Sequence, residues 1–214
     1  SFKKLGVISF IKLVILSIAS VFILEPINGI SIISYLVQRM QKTFLNNQIV
    51  IITSNSNQDK PLLKVSNQLK IKSFVGDPID VLVRMYDASK KFKFKNFISC
   101  TADNPFVDPF YAKKLLKYHL KKKNDLTIIK GLPFGTFCYA INQNGLRKVI
   151  KSKKSKNTEI WGPYFIENKN TKVGIYNIKN PKHINNFARL TVDEREDLEV
   201  VRKILSKSKI HQPS

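Results

Sequence analysis

Short runs of β-branched and aliphatic residues, each closing on small polar groups, recur along this chain between segments of helical periodicity. Ile49-Val50-Ile51-Ile52 ends in Thr53-Ser54, and Phe97-Ile98-Ser99-Cys100 runs into Thr101-Ala102-Asp103. Continuous apolar runs of this length suit strands buried on both faces, as in parallel sheets covered by helices. Between them Ile32, Ile33, Leu36, Val37 and Met40 repeat at helical spacing, as do Val81, Leu82 and Met85. The pattern predicts helices over 31–40, 60–69, 144–151, 159–168 and 194–206, with others starting near Pro78 and Pro109. It predicts strands over 49–54, 71–75, 97–101, 126–130, 137–141, 173–178 and 189–192. Such alternation specifies an α/β fold, a three-layer arrangement with a mostly parallel central sheet. The hairpin-like strands after residue 126 add a small mixed-sheet extension.

The 214 residues, 43% of them apolar, fit one domain with a sizeable core, spanning 1–214. Cys100 and Cys138 are the only cysteines, too few for a disulfide framework or a four-cysteine zinc site. The histidines at 119, 183 and 211 are dispersed, so a metal would sit on carboxylates.

The net charge is +22, from 37 basic and 15 acidic residues. Polyanion binding is one reading of such an excess. Only six of the basic residues are arginine, the usual tool for bidentate phosphate and base recognition. The densest runs, Lys121-Lys122-Lys123 and the lysines of 151–156, fall at predicted helix ends, where cations suit the helix dipole. A solvated basic surface is therefore expected, with no specific nucleic-acid partner.

Residues 7–24 are almost wholly apolar, with Lys12 the sole basic group, Lys3-Lys4 before them and Glu25-Pro26 after. Alone, the run has the form of a signal peptide or a short membrane anchor. It equally suits a buried first strand, and the cytoplasmic α/β reading takes it so, with a membrane-associated or exported protein as the alternative.

In open α/β sheets, ligands gather beyond the carboxyl ends of the strands. Three predicted strands end in polar groups there, at Thr53-Ser54, Thr101-Ala102-Asp103 and Thr191-Val192-Asp193. If the last two are neighbours, Asp103 and Asp193 converge and can hold a hard cation such as Mg²⁺. Local roles compete: Asp193, three residues before Glu196, reads as a helix N-cap, and Asp103-Asn104-Pro105 as a turn.

Several pieces, in order, resemble the cytidylyltransferases that activate acidic sugars, close to the spore coat polysaccharide biosynthesis branch. They are Pro26-Ile27-Asn28-Gly29, the 49–54 strand with Asp59, and Phe74-Val75-Gly76 leading to Asp80-Val81-Leu82-Val83-Arg84. The segments from Thr101 to Pro109, Pro133-Phe134-Gly135, Glu159 with Pro163-Tyr164, and 188–199 follow. The resemblance implies a Rossmann-like nucleotidyltransferase fold that transfers CMP from CTP to an acidic sugar in surface-polysaccharide synthesis. It places Asp103 and Asp193 at the catalytic Mg²⁺ site. Lys12, Ser54, Asp80, Arg84 and Thr101 fall to the nucleotide, and Gly135, Glu159 and Tyr164 to the sugar, within an extension over 126–180. A homodimer is an accompanying expectation. Arg84 has a local alternative, an ion pair with Asp80 or Asp87 on one helix face.

One segment departs from the resemblance. The family's first strand runs into a loop with two arginines and a lysine that cradles the triphosphate. Counted back from Pro26 without gaps, these fall near Leu13, Ile18 and Phe22, and no arginine or glycine lies between Gly6 and Gly29. Charge-assisted contacts contribute roughly 1.5–3 kcal/mol each. A family member that is catalytically weakened, acting as a binding protein, is the consequent alternative to an active enzyme.

Overall fold

The structure is a computed structural model describing residues 11–16, 22–178 and 188–207. Within these, one sheet holds β1 (Ile11–Leu16), β4 (Ile49–Ser54), β5 (Lys72–Gly76), β6 (Asn96–Thr101), β7 (Leu126–Lys130), β8 (Tyr139–Asn142) and β9 (Val173–Asn177). Its order is β5-β4-β1-β6-β8-β7-β9. Only β8 runs against the rest: it is antiparallel to β6 and β7, and every other pairing is parallel. The mixed half is thus continuous with the parallel half. A separate hairpin, β2 (Pro26–Ile27) with β3 (Ile30–Ser31), turns through Asn28 and Gly29, whose φ angles of 51° and 79° are those such a tight turn requires.

β1 is the axis of the sheet. Hydrogen-bonded to β4 on one side and β6 on the other, it has Leu13, Val14, Ile15 and Leu16 fully buried. Side chains alternate across a strand. Leu13 and Ile15 accordingly join the core under α1 (Ile32–Gln41), α2 (Lys60–Gln68) and α4 (Pro109–Lys122). Val14 and Leu16 join the opposite core under α3 (Val81–Lys91), α5 (Gln143–Ser152) and α6 (Gly162–Ile166). A third cluster seats α7 (Arg195–Lys207) through Leu198, Val201 and Leu205 against Ile27, Phe106 and Val192.

The apolar opening run therefore supplies an inner strand of the sheet over 11–16, and residues 7–10 and 17–21 lie outside the described residues. Among the described residues no helix is long and apolar enough to cross a membrane. The gapless count placed the family's first loop arginine near Leu13, which is inside β1.

Two sequence expectations are corrected. Residues 189–192 form no strand, only an isolated parallel bridge between Phe134 and Arg189, because the segment leaves the sheet to reach α7. The helix expected over 159–168 is confined to Gly162–Ile166, since Thr158 is held in a loop by bonds to α3.

Where the two halves of the sheet meet, a buried polar network replaces apolar packing. His119 contacts Thr127 Oγ1 at 2.8 Å and Asn96 Oδ1 at 3.2 Å, and Asn142 donates to the same Asn96 oxygen at 2.8 Å. Burial pushes the imidazole down to about 4, against the opposing pull of Asp125.

Truncating a fully buried leucine removes transfer energy and leaves a cavity, typically costing about 2–5 kcal/mol. Leu13→Ala is expected to destabilise the fold by that amount in urea unfolding, and a loss below about 1 kcal/mol would show that β1 is not the axis.

Candidate active site

The carboxyl end of β6 is where the site is assembled. Leu16 is in register with Thr101, and the Ala102 N–H donates to the Leu16 carbonyl at 2.9 Å, so the end of β1 lies beside the end of β6, next to Asp103. The segment before α7 arrives from the other side: the Val192 N–H donates to the Asp103 carbonyl at 2.9 Å and the Leu190 N–H to the Phe134 carbonyl at 2.8 Å. This close approach is why Gly135 is required. Its φ is +85°, and a Cβ there would lie 2.3 Å from the Thr191 nitrogen. Gly135 thus shapes the backbone at the cavity wall.

These contacts bring Asp103 and Asp193 together, as expected if their segments were neighbours. The Asp103 carboxyl is pushed up to about 6, chiefly by burial; Asp193's charge adds to the rise, and a bond from Thr101 opposes it. Asp103 Oδ1 is buried without a hydrogen-bond partner, as is Asn104 Oδ1 beside it. Buried polar atoms are normally satisfied, so two adjacent exceptions mark a place built for something else.

Asp193 is not the helix cap that its spacing to Glu196 predicted. Asp197 Oδ2 accepts the N–H groups of Asp193 at 3.0 Å and Glu194 at 3.1 Å and takes over that role. The Asp193 carboxylate instead accepts from Arg189 Nη2 at 2.5 Å, while Arg189 Nε reaches Asp197 Oδ1 at 3.2 Å. The same guanidinium lies 5.5 Å from the centre of the Phe134 ring.

Two cavities open at this end of the sheet. One, of about 270 Å³, is lined by Ser54, Asp59, Ile79, Arg84, Asn157 and Glu159, among others. Ser54 gives both its N–H and its hydroxyl to Asp59 Oδ2, at 2.8 and 2.7 Å, fixing the tip of β4. Arg84 is buried but keeps a face on the cavity. It donates to the carbonyls of Asp77 at 2.7 Å and Pro78 at 3.1 Å, which replaces the expected ion pair with Asp80 or Asp87. Burial lowers its pKa, and Asp59, Asp77 and Glu159 oppose that.

Asp80 faces inward. It caps α3 by accepting from the Val83 N–H at 3.2 Å, accepts the Thr158 hydroxyl at 2.8 Å, and is ion-paired with the buried Lys153. Asp80 therefore stands behind the cavity, holding the loop that carries Glu159. Tyr164 does the same from the other side, donating its hydroxyl to the Asn157 carbonyl at 3.2 Å. Lys12 lies in β1, and its side chain is outside the described residues.

The second cavity, of about 390 Å³, holds Thr101, Asp103 and Asp193 at one end and Phe134, Phe137 and Tyr139 along a wall. Glu159 lines both cavities. Sequence reasoning missed Lys153, Thr158 and the roles of Arg189 and Asp197. Their partners lie on other elements or depend on how a loop folds, so no spacing announces them.

A cytidylyltransferase family model matches residues 23–210. The chain belongs to this family. A spore coat polysaccharide biosynthesis protein, SpsF of Bacillus subtilis, is 24% identical over 192 residues, covering 87% of this chain and 80% of that protein. An uncharacterised protein of Methanocaldococcus jannaschii is 28% identical over 171 residues, 79% of this chain and 70% of its own. A cytidylyltransferase structure from Leptospira borgpetersenii serovar Hardjo-bovis superposes with a TM-score of 0.84 at 18% identity, covering 92% of this chain and 87% of that one. A CMP:2-keto-3-deoxy-manno-octonic acid synthetase complexed with CTP gives 0.71 at 13%, covering 92% and 99%. These likenesses bear out the nucleotidyltransferase-type fold. The family match starts at residue 23, beyond β1 and most of the arginine-free stretch.

A divalent cation suits the residues present. Two carboxylates converge, one with an unpartnered buried oxygen, and the repulsion between them is what a cation relieves.

The Asp103 carboxyl titrates near 6 when folded and near ~4 when unfolded. The folded chain then holds the extra proton between those values, so this group lowers stability as pH rises through them. Asp103→Asn is expected to be more stable than the parent by about 1–3 kcal/mol at pH 7.5 in metal-free urea unfolding. The advantage should shrink to nothing near pH 4, and a pH-independent difference would show that the carboxyl is not desolvated.

Proposed function

We propose that this cytidylyltransferase family member transfers CMP from CTP to the hydroxyl of a sugar, releasing pyrophosphate. The observation that carries the reading is the meeting of Asp103 and Asp193 in the lining of the larger of two cavities that share Glu159. Two reactants held in cavities that share Glu159, with the acidic pair lining one of them, have the proximity that group transfer needs.

The smaller cavity takes the nucleoside, with Ser54 and Asp59 locked together and Arg84 buried at its wall. The larger takes the sugar, whose hydroxyl approaches the α-phosphorus from the Asp103–Asp193 end. Mg²⁺, held by Asp103 and Asp193, would offset phosphate charge during the displacement. Thr101 steadies the Asp103 carboxylate, Arg189 holds Asp193, and Glu159, on a loop clamped by Thr158 and Asp80, faces both reactants. The likeness to the spore coat protein supports a role in polysaccharide synthesis, for which an acidic sugar is the acceptor that the sequence resemblance names.

A second reading is favoured by one observation: residues 17–25, between β1 and the hairpin, contain no lysine or arginine. A triphosphate finds no cation in that connection, and a family member that only binds a sugar nucleotide would look the same.

Calorimetric titration with CTP and Mg²⁺ separates the two. The transfer reading expects binding tighter than millimolar that is abolished in both Asp103→Ala and Asp193→Ala, with the variants' circular dichroism unchanged. Pyrophosphate release should fall by roughly 100-fold or more in either variant, as expected when charge stabilisation at the reacting centre is removed. Millimolar or absent binding by the parent chain establishes the non-catalytic reading.

A further inference from the structure

The basic residues of this chain are not spread evenly. α4 runs from Pro109 to Lys122 without an acidic residue and turns one face outward. Phe110, Lys113, Lys114, Lys117 and Lys121 are exposed along it, at the i, i+3, i+4, i+7 and i+11 spacing of a single helical stripe, and the exposed Lys122 and Lys123 close it. The opposite face, with Ala112, Leu115 and Leu116, is buried in the core. Phe110 is more than half exposed, and Lys114 Nζ lies 4.1 Å from the centre of its ring.

Six lysines in the eleven residues 113–123 repel one another. Lys113 with Lys117, and Lys117 with Lys121, stand four residues apart, a like-charge spacing that destabilises a helix. The two carboxylates flanking α4 have other roles. Asp108 caps the helix, accepting from the Phe110 and Tyr111 N–H groups at 2.8 and 3.2 Å, and Asp125 is paired with Lys148 at 2.7 Å. All fifteen acidic residues of the sequence fall within the described segments, so no further acidic side chain exists to cover the stripe.

Such a stripe fits an extended negative surface. A convex row of lysines about 16 Å long meets an anionic bilayer along its whole length, and clusters of this kind on a helix suit anionic headgroups. Phe110 adds an apolar group at one end, which suits the boundary between headgroups and acyl chains. Nucleic-acid phosphates favour arginine, and α4 has none.

We infer that α4 docks this protein on a membrane surface rich in anionic lipid, with Lys114, Lys117 and Lys121 over the headgroups and Phe110 in the interface. The contact is electrostatic adsorption, since the apolar face of α4 is buried in the core. The Asp108 N–H donates to the Thr136 carbonyl at 3.2 Å, so the Phe110 end of the stripe is the end nearest the loop that lines the larger cavity.

The full chain is sedimented with vesicles of phosphatidylcholine containing about one third phosphatidylglycerol, and with vesicles of phosphatidylcholine alone, at about 0.1 M salt. Expected is binding to the anionic vesicles at least tenfold tighter than to the neutral ones, and lost when salt is raised to about 0.5 M. Lys114→Glu combined with Lys121→Glu should weaken that binding at least tenfold. The pair leaves Lys117 between two opposite charges, which supports the helix, and circular dichroism should be unchanged. Lys90→Glu combined with Lys151→Glu, exposed on α3 and α5 across the sheet, makes the same change of net charge and should weaken binding less than threefold. Equal losses in the two double variants would assign the binding to overall charge, and equal binding to neutral vesicles would assign it to apolar insertion by another segment. Either result overturns the inference, as does a parent chain that binds no anionic vesicle. It is also overturned if a mixed-sequence DNA duplex binds the parent more tightly than the anionic vesicles do and loses that binding in the α4 variant.

Discussion

The backbone bond from Val192 to Asp103 is the contact on which the site depends. It joins the end of a central strand to a segment ninety residues further along, and the two carboxylates meet only because that segment is laid there. Apolar burial supplies the force: Val192 sits in the cluster that seats α7, so docking the last helix delivers Asp193 to its place. Gly135 permits the approach, since any side chain there would collide with the arriving backbone. The site thus depends on both the sheet and the docked α7.

A second clamp works on the other side. Thr158 bridges Asp80 and the Leu82 N–H, so the first turn of α3 holds the loop that presents Glu159. Asp80 and Lys153 form a buried pair behind that loop, and Asp80 also caps the helix. Removing one partner of such a pair leaves an uncompensated buried charge, which is strongly destabilising.

Two buried titrating groups give the chain opposing responses to acid. His119 is kept neutral by burial, and the unfolded chain takes up its proton more readily between about 4 and 6.5, so this group favours the fold as pH rises. Asp103 does the reverse over nearly the same interval. One group belongs to the packed junction between the sheet's two halves and is satisfied by Thr127 and Asn96. The other, with an unpartnered oxygen at a cavity, has given up stability for a site.

The residues alone determined the alternation of buried strands and amphipathic helices, because a period of two or 3.6 is written in the order of apolar side chains. They also marked Asp103 and Asp193, whose place after strand-like runs put them beyond the carboxyl edge of a sheet. Tertiary structure decided what local spacing could not. The apolar start became the sheet's axis because it found a strand on each side, and Asp197 capped the last helix once Asp193 was engaged by Arg189. Asp80 was drawn inward by Thr158 and Lys153, both more than seventy residues away. The aromatic wall likewise arises from strand pairing and loop closure that bring Phe134, Tyr139 and Trp161 to one surface. Periodicity is a local property of the chain, whereas a site is a meeting of distant segments, and only burial of the core brings those segments together.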